Sequence, residues 1–441
     1  METNHTHLNL DTNILPKRYQ SSSMDKLTFS LMKFGNQQIY VFLTADNHFD
    51  KVRMKKAIRL LYDIEPVLGC KFIDDPKTPF WERIENIDEY EYCIIKKTTQ
   101  LDDDINDFIK SSCDPRSNIP VQSAIFESKN FDTLCVKTNH AVLDGGALQE
   151  YVVKISDLYR KLKDDPNYFE EPNIHGERSV KQVLDKFNIF QKIFIFFKNM
   201  SAKPNWAFPW IGTSQESVNY IIRRFDSNRF KQIKEFGKKF DATINDMVLT
   251  AFYRALFQIL YPPKKKKLVT VCTINLRMYL ENNKADSLCN LSSSAYPRID
   301  FIPDESFIDT LKRVTKEMNF RKKFAPGIGP AWFIENVFRA NYSKVKKSIQ
   351  KRFDKDIKRK ATHPVFTNVG LVTTNHFNFG DVKIIDAYML TPIMGAPGFI
   401  FGLLTFNEIM SICVGFYDGS YDKLLVEKFI DLIDEELALK N

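Results

Sequence analysis

The sequence lacks any apolar run long enough to cross a bilayer. Its most apolar stretch, Ile193-Phe194-Ile195-Phe196-Phe197, is closed off by Lys192 and Lys198 and falls far short of the roughly 20 residues a spanning helix needs. Residues 1–13 carry neither a basic n-region nor an apolar h-region, so no secretory signal is read there. The expected location is cytoplasmic, with peripheral membrane contact as the alternative. Paired cysteines are absent too. The seven (Cys70, Cys93, Cys113, Cys135, Cys272, Cys289, Cys413) are scattered with no C-x-x-C spacing, which predicts reduced thiols and speaks against a structural zinc site. The chain contains no G-x-S-x-G elbow, no H-E-x-x-H and no G-x-x-x-x-G-K-[ST], so serine-hydrolase, zincin and P-loop chemistry lack their signatures and no metal is expected.

What is present suits a globular enzyme. At 441 residues the chain exceeds one ordinary hydrophobic core, and two lobes are expected. Its 44% hydrophobic and 27% charged residues exclude a disordered or fibrous class. The 37 Phe suit either packed cores or a long apolar channel, and composition does not separate the two. The net charge of +8 is concentrated: residues 321–360 hold thirteen Lys and Arg against Glu335, Asp354 and Asp356.

Periodicity gives a mixed α/β order. Residues 27–44 contain apolar alternation suited to strands, and 51–62 carry apolar residues at helical spacing. Two strands are read at 121–127 and 133–139, followed by an amphipathic helix over 147–163. The polar segment 164–178, with Pro166, Pro172 and Gly176, marks the crossing between a lobe at 1–175 and a lobe at 176–441. A Phe-rich helix follows over 179–200. The second half then alternates strands at 217–225, 268–275, 365–373, 382–390, 398–406 and 408–417 with helices at 227–239, 244–260, 305–320, 342–360 and 422–437.

One constellation carries chemistry. In Asn139-His140-Ala141-Val142-Leu143-Asp144-Gly145-Gly146 a histidine stands at a strand end, a carboxylate follows four residues later, and two glycines precede a long helix. A His there can face a cleft while the Asp turns inward to fix the loop, and the glycines allow close approach to the backbone. Imidazole suits proton transfer near neutral pH. Taken alone, a His-to-Asp spacing of four is more often structural than catalytic.

At these residues the sequence resembles the condensation-domain and chloramphenicol-acetyltransferase-like superfamily, whose shared motif is H-x-x-x-D-G. That superfamily includes stand-alone alcohol acyltransferases, wax-ester synthases and plant BAHD acyltransferases. Other matching pieces fall in order along nearly the whole chain: Glu65-Pro66-Val67-Leu68-Gly69, Ile244-Asn245-Asp246, Asn275-Leu276-Arg277 and Phe366-Thr367-Asn368-Val369-Gly370. Two departures stand out. Asn139 occupies a position where many relatives have a second His, and Phe377-Asn378-Phe379-Gly380-Asp381 is the nearest run to the BAHD D-F-G-W-G.

The resemblance implies an α/β fold of mixed sheets, with two acetyltransferase-like lobes in a pseudo-dimeric V and a substrate tunnel between them. It implies His140 as general base, Asp144 paired with Arg277 as scaffold, Gly145 as backbone room, and a substrate or oxyanion region near Asn139, Gly146 and Asn368. Acyl-CoA is the expected co-substrate, with an acyl carrier thioester as second choice; the acceptor is a small alcohol or amine, and the protein acts as a monomer. Carrier-dependent condensation and a catalytically silent binding protein are the alternatives.

Two further segments stay open. The basic stretch 321–360 could meet coenzyme A phosphates, an acidic carrier protein or an anionic membrane. The helical spacing of Tyr342, Val345, Ile349, Phe353 and Ile357 favours an ordinary amphipathic surface helix. Nucleic acid is not expected, since no aromatic-basic interleaving accompanies the charge. For the Phe187-to-Phe197 helix, packing between the lobes is preferred over a lipid-facing or acyl-tunnel role. His363 and His376 have no partner spacing and are read as structural or solvent-exposed.

Overall fold

A computed structural model describes residues 15–201 and 203–439; the polar segment 1–13 lies outside them. In chain order the first half runs β1 (Arg18–Gln20), α1 (Ser23–Leu31), β2 (Gln38–Ala45), α2 (Lys51–Ile64), β3 (Cys70–Ile73), β4 (Phe80–Arg83), β5 (Cys93–Lys97), α3 (Leu101–Lys110), β6 (Val121–Glu127), β7 (Asp132–Asn139) and α4 (Gly145–Asp164). The second half runs α5 (Lys181–Leu184), α6 (Ile189–Lys198), β8 (Val218–Phe225), α7 (Ser227–Lys238), α8 (Ile244–Leu260), β9 (Lys267–Val269), β10 (Val271–Asn275), β11 (Ser292–Ala295) and β12 (Arg298–Asp300). It closes with α9 (Phe307–Lys322), α10 (Ile328–Ala340), α11 (Tyr342–Arg359), β13 (Val365–Val372), β14 (Ile384–Leu390), β15 (Ile400–Phe406), β16 (Ile409–Tyr417) and α12 (Lys423–Glu436).

The central strands are buried on both faces, and their period of two shows why. In β2, Ile39, Val41 and Leu43 join the core built with α2 and α4, while Tyr40 and Phe42 join the aromatic cluster that includes Ile105 and Phe108 of α3. The first sheet has the order β14-β2-β7-β6-β5, and the second β11-β10-β13-β15-β16-β8. The edge strand β14 comes from late in the chain and pairs antiparallel with β2, Tyr388 opposite Phe42. The second half therefore completes the first lobe's sheet. Cys413 of β16 and Leu390 of β14 sit in one cluster with Tyr40, which is where the two sheets meet. The second core gathers α7, α8, α9 and α12 against its sheet around Phe252, Phe401 and Phe429.

Two expectations are corrected, and two further segments add to the element order. Residues 27–44 are not all strand: Ser22 and Asp25 form a reciprocal capping box that starts α1, and this local nucleus overrides the alternation of Leu27, Phe29 and Leu31. Between α2 and α3 the chain holds only short strands, with a 3₁₀ turn at Ile87–Glu89 between β4 and β5. The helix read over 179–200 is two, because Asn188 with Gln191 makes a second capping box at the start of α6. An unread helix, α10, begins at Ile328-Gly329-Pro330; Pro in a first turn costs no hydrogen bond, so this proline does not break it.

The preference for burying the Phe-rich helix between lobes also fails. Ile195 is the one fully buried side chain of α6, whose inner side lies on α10. Among the described residues no helix is long and apolar enough to cross a membrane.

Candidate active site

The site begins as a continuation of the β2–β7 ladder. Gln38 pairs with Asn139, and the His140 N–H donates to Gln37 O at 2.7 Å, which carries the imidazole one step past the strand end. The chain then turns tightly, with Val142 N–H donating to Asn139 O at 3.0 Å. Ala141, Val142 and Leu143 are fully buried and pin the loop to the first core. Asp144 ends it as the N-cap of α4, accepting from Ala147 N–H at 2.7 Å.

Asp144 turns inward. Its carboxylate oxygens lie 3.1 and 3.0 Å from Arg277 Nη1, and Oδ2 accepts from Leu291 N–H at 2.6 Å. Arg277 in turn donates from Nη2 to Cys289 O at 2.7 Å, and its Nε stands 2.8 Å from Glu150 Oε1. Burial alone would depress the guanidinium's pKa, but Asp144 and Glu150 outweigh it and hold Arg277 above its ordinary range. Burial raises the Glu150 pKa, against the pull of Arg277. Gly146 is what lets the arginine in: a Cβ there would stand 3.2 Å from Arg277 Nη1 and 3.1 Å from Asn275 Nδ2. Arg178 adds a second clamp, donating to Val142 O at 3.0 Å and to Leu288 O.

His140 remains partly open and lines a cavity of about 280 Å³ shared by the two lobes. The walls are mainly apolar, with Leu31, Ile39, Val369, Met389, Ile400 and Leu403. Polar side chains in the wall are Thr28, Gln37, Thr273, Ser292, Thr367 and Thr391, of which Thr273 and Thr367 share a hydroxyl hydrogen bond of 2.8 Å. Gly145 lies in the wall, where a Cβ would press on Val369 Cγ1 at 3.2 Å. Burial lowers the His140 pKa; the Asp144 charge and the main chain at His140 and Leu143 restore part of it. The ring is therefore neutral near pH 7, the state a base requires.

Asn290 touches this ring. Its Oδ1 accepts from Ser292 N–H at 3.2 Å, which orients the amide so that Nδ2 faces His140, 3.1 Å from the main-chain O and 3.2 Å from Nδ1. An amide N–H only donates, so Asn290 bonds Nδ1 in the tautomer whose ring proton is on Nε2, while the ring's hydrogen bonds to the main chain at His140 and Leu143 belong to a ring N–H facing them. Proton removal through Nε2 requires that proton to be on Nδ1, turned toward a main-chain oxygen.

Two residues of the expected substrate region face elsewhere. Asn139 spends its amide on Cys113 O and Ala141 N–H, at 3.2 and 3.0 Å. Asn368 bonds Asn245 and the Gly370 N–H, because on β13 it alternates with Thr367 and Val369, which face the cavity. His363 and His376 do not line it; they bond Ser201 and Thr373. Sequence reasoning missed Asn290, Glu150, Arg178 and the Thr273–Thr367 pair. Glu150 lies on α4 just past the motif; the others are far from it in sequence.

No protein-family model and no curated protein matches the sequence. Solved structures do share the shape. The trichothecene 15-O-acetyltransferase of Fusarium sporotrichioides aligns at 12% identity with a TM-score of 0.67, over 95% of this chain and 94% of that one. The condensation domain of the Monacolin K polyketide synthase aligns at 11% and 0.68, over 96% and 98%. Polyketide synthase associated protein 5 of Mycobacterium tuberculosis aligns at 11% and 0.66, over 95% and 97%. The chain thus has the two-lobed condensation and acetyltransferase fold along nearly its whole length.

Proposed function

We propose that the protein is an acyltransferase that moves an acyl group from a thioester, coenzyme A first, to an alcohol or amine, with His140 as general base. The observation that carries this is a neutral, partly open imidazole in the wall of an apolar cavity between two lobes, on a loop held by the buried Asp144–Arg277 pair. His140 takes the acceptor's proton as its oxygen or nitrogen attacks the thioester carbonyl. The tetrahedral oxyanion collapses, the carbon–sulfur bond breaks, and the imidazolium returns the proton to the departing thiolate. General-base catalysis supplies about 10²–10⁴-fold, and positioning in the cavity supplies much of the rest. The hydroxyls of Thr273, Thr367, Ser292 and Thr391 are among the side-chain groups in the wall able to donate to an oxyanion.

The apolar wall favours an apolar acyl chain over a charged one. The test is thiol release from a panel of acyl-CoA donors of increasing chain length, each with candidate alcohols and amines, with product mass read alongside. Acceptor-dependent release supports the reading. Binding of donors with no release under any pairing contradicts it and leaves the silent binding protein.

A further inference from the structure

The outer face of α6 is apolar and uncovered. Phe190 is 80% exposed, Phe197 68% and Phe194 54%, beside exposed Ile189 and Ile193. The patch continues across two more helices through ring contacts: Phe194 meets Phe324 at 6.0 Å, Phe324 meets Phe320 at 5.1 Å, and Phe196 stacks on Phe333 at 5.8 Å. Soluble surfaces rarely leave so many large apolar side chains together without a partner.

The rim decides which partner. Lys186, Lys198, Lys203, Lys322 and Lys323 are exposed around it, with Lys192 half-buried, and Lys198 Nζ sits 5.6 and 5.5 Å over the Phe194 and Phe324 rings. No carboxylate lies between residues 186 and 203. Of the nearby acids, Glu317 is paired with Arg321 at 2.6 Å and Glu335 is bonded by Ser23 at 2.6 Å, which leaves exposed Asp185 beside Lys186 against the five exposed lysines. A two-fold self-contact would set this lysine rim against itself. An anionic bilayer presents the opposite charge, and a short capped helix with aromatic residues toward the lipid and lysines at the edge is built for its interface.

We infer that α6, with the aromatic side chains of α9, α10 and their connection, docks the protein on an anionic membrane surface, the helix lying in the plane of the headgroups. The inference is independent of the acyltransferase reading. Its test is flotation with vesicles of phosphatidylcholine alone and of phosphatidylcholine with phosphatidylserine. The wild-type chain is expected to float with the anionic vesicles and to be released by salt. The Phe190→Ser/Phe194→Ser/Phe197→Ser variant, whose changes are all at exposed positions, loses binding at least about tenfold. Each exposed lysine removed, Lys198→Ala or Lys322→Ala, lowers it about fivefold. Circular dichroism checks that the variants fold. Absence of flotation, flotation unchanged by the Phe substitutions, or a concentration-dependent dimer that those substitutions disperse without any vesicle binding would each overturn it.

Discussion

At the scale of single residues, His140 sets the pH behaviour. Burial holds its pKa below the ordinary 6.5, so the acid limb of kcat/KM is expected under pH 6.5. The unfolded chain binds this proton at 6.5 and the folded chain resists it, so the group's contribution to stability falls as pH drops through that window. Asn290→Asp replaces a donor by an acceptor at Nδ1. It favours the Nδ1–H tautomer and the charged ring, and the acid limb moves to higher pH; an unmoved limb would show that Asn290 does not act on the ring. Arg277→Met leaves Asp144 buried with its charge partner gone and is expected to cost about 3–5 kcal/mol in denaturant unfolding. Arg277→Met/Asp144→Asn should recover part of that. His140, Asp144 and Gly145 were legible because they share one tight loop. Arg277 lies 133 residues from Asp144 and entered only through a family resemblance, and Asn290 had no signal at all. The side chains of Asn139 and Asn368 were misplaced because a motif gives proximity along the chain but not the face of the strand.

Elements position these residues through close contacts at their ends. Helix α4 approaches β10 where Gly146 leaves room for Arg277 and Asn275. Gly146→Ala puts a methyl against two hydrogen-bonded groups that cannot give way freely. It is expected to destabilise by about 1–3 kcal/mol, read as a lower denaturation midpoint at unchanged slope. Most strands of the second lobe and the long helices were visible as periodicity, since burial on one stripe leaves a mark in the sequence. Helix α1 was hidden because its apolar residues also alternate, and α10 because glycine and proline at its first turn imitate a stop. Exposed α6 was misread for a different reason. A helix apolar all round predicts burial, and only the packing of α10 against a single side shows that half of it has no protein neighbour.

For the whole molecule, the two lobes are not independent. Strand β14 crosses back to complete the first sheet, and the pair Asp144–Arg277 spans the halves, so the cavity between them is a fixed feature of the fold. Two lobes were legible from length; the returning strand was not, since pairing partners leave no local pattern. The central claim is that His140 accepts a proton in that cavity. Turnover of a donor and acceptor pair that the wild type uses, compared with His140→Ala and with that variant supplied with imidazole, tests it most directly. The account predicts a loss of about 10²–10⁴-fold with the fold intact and partial recovery by added imidazole. A folded His140→Ala protein that turns over at the wild-type rate would contradict it.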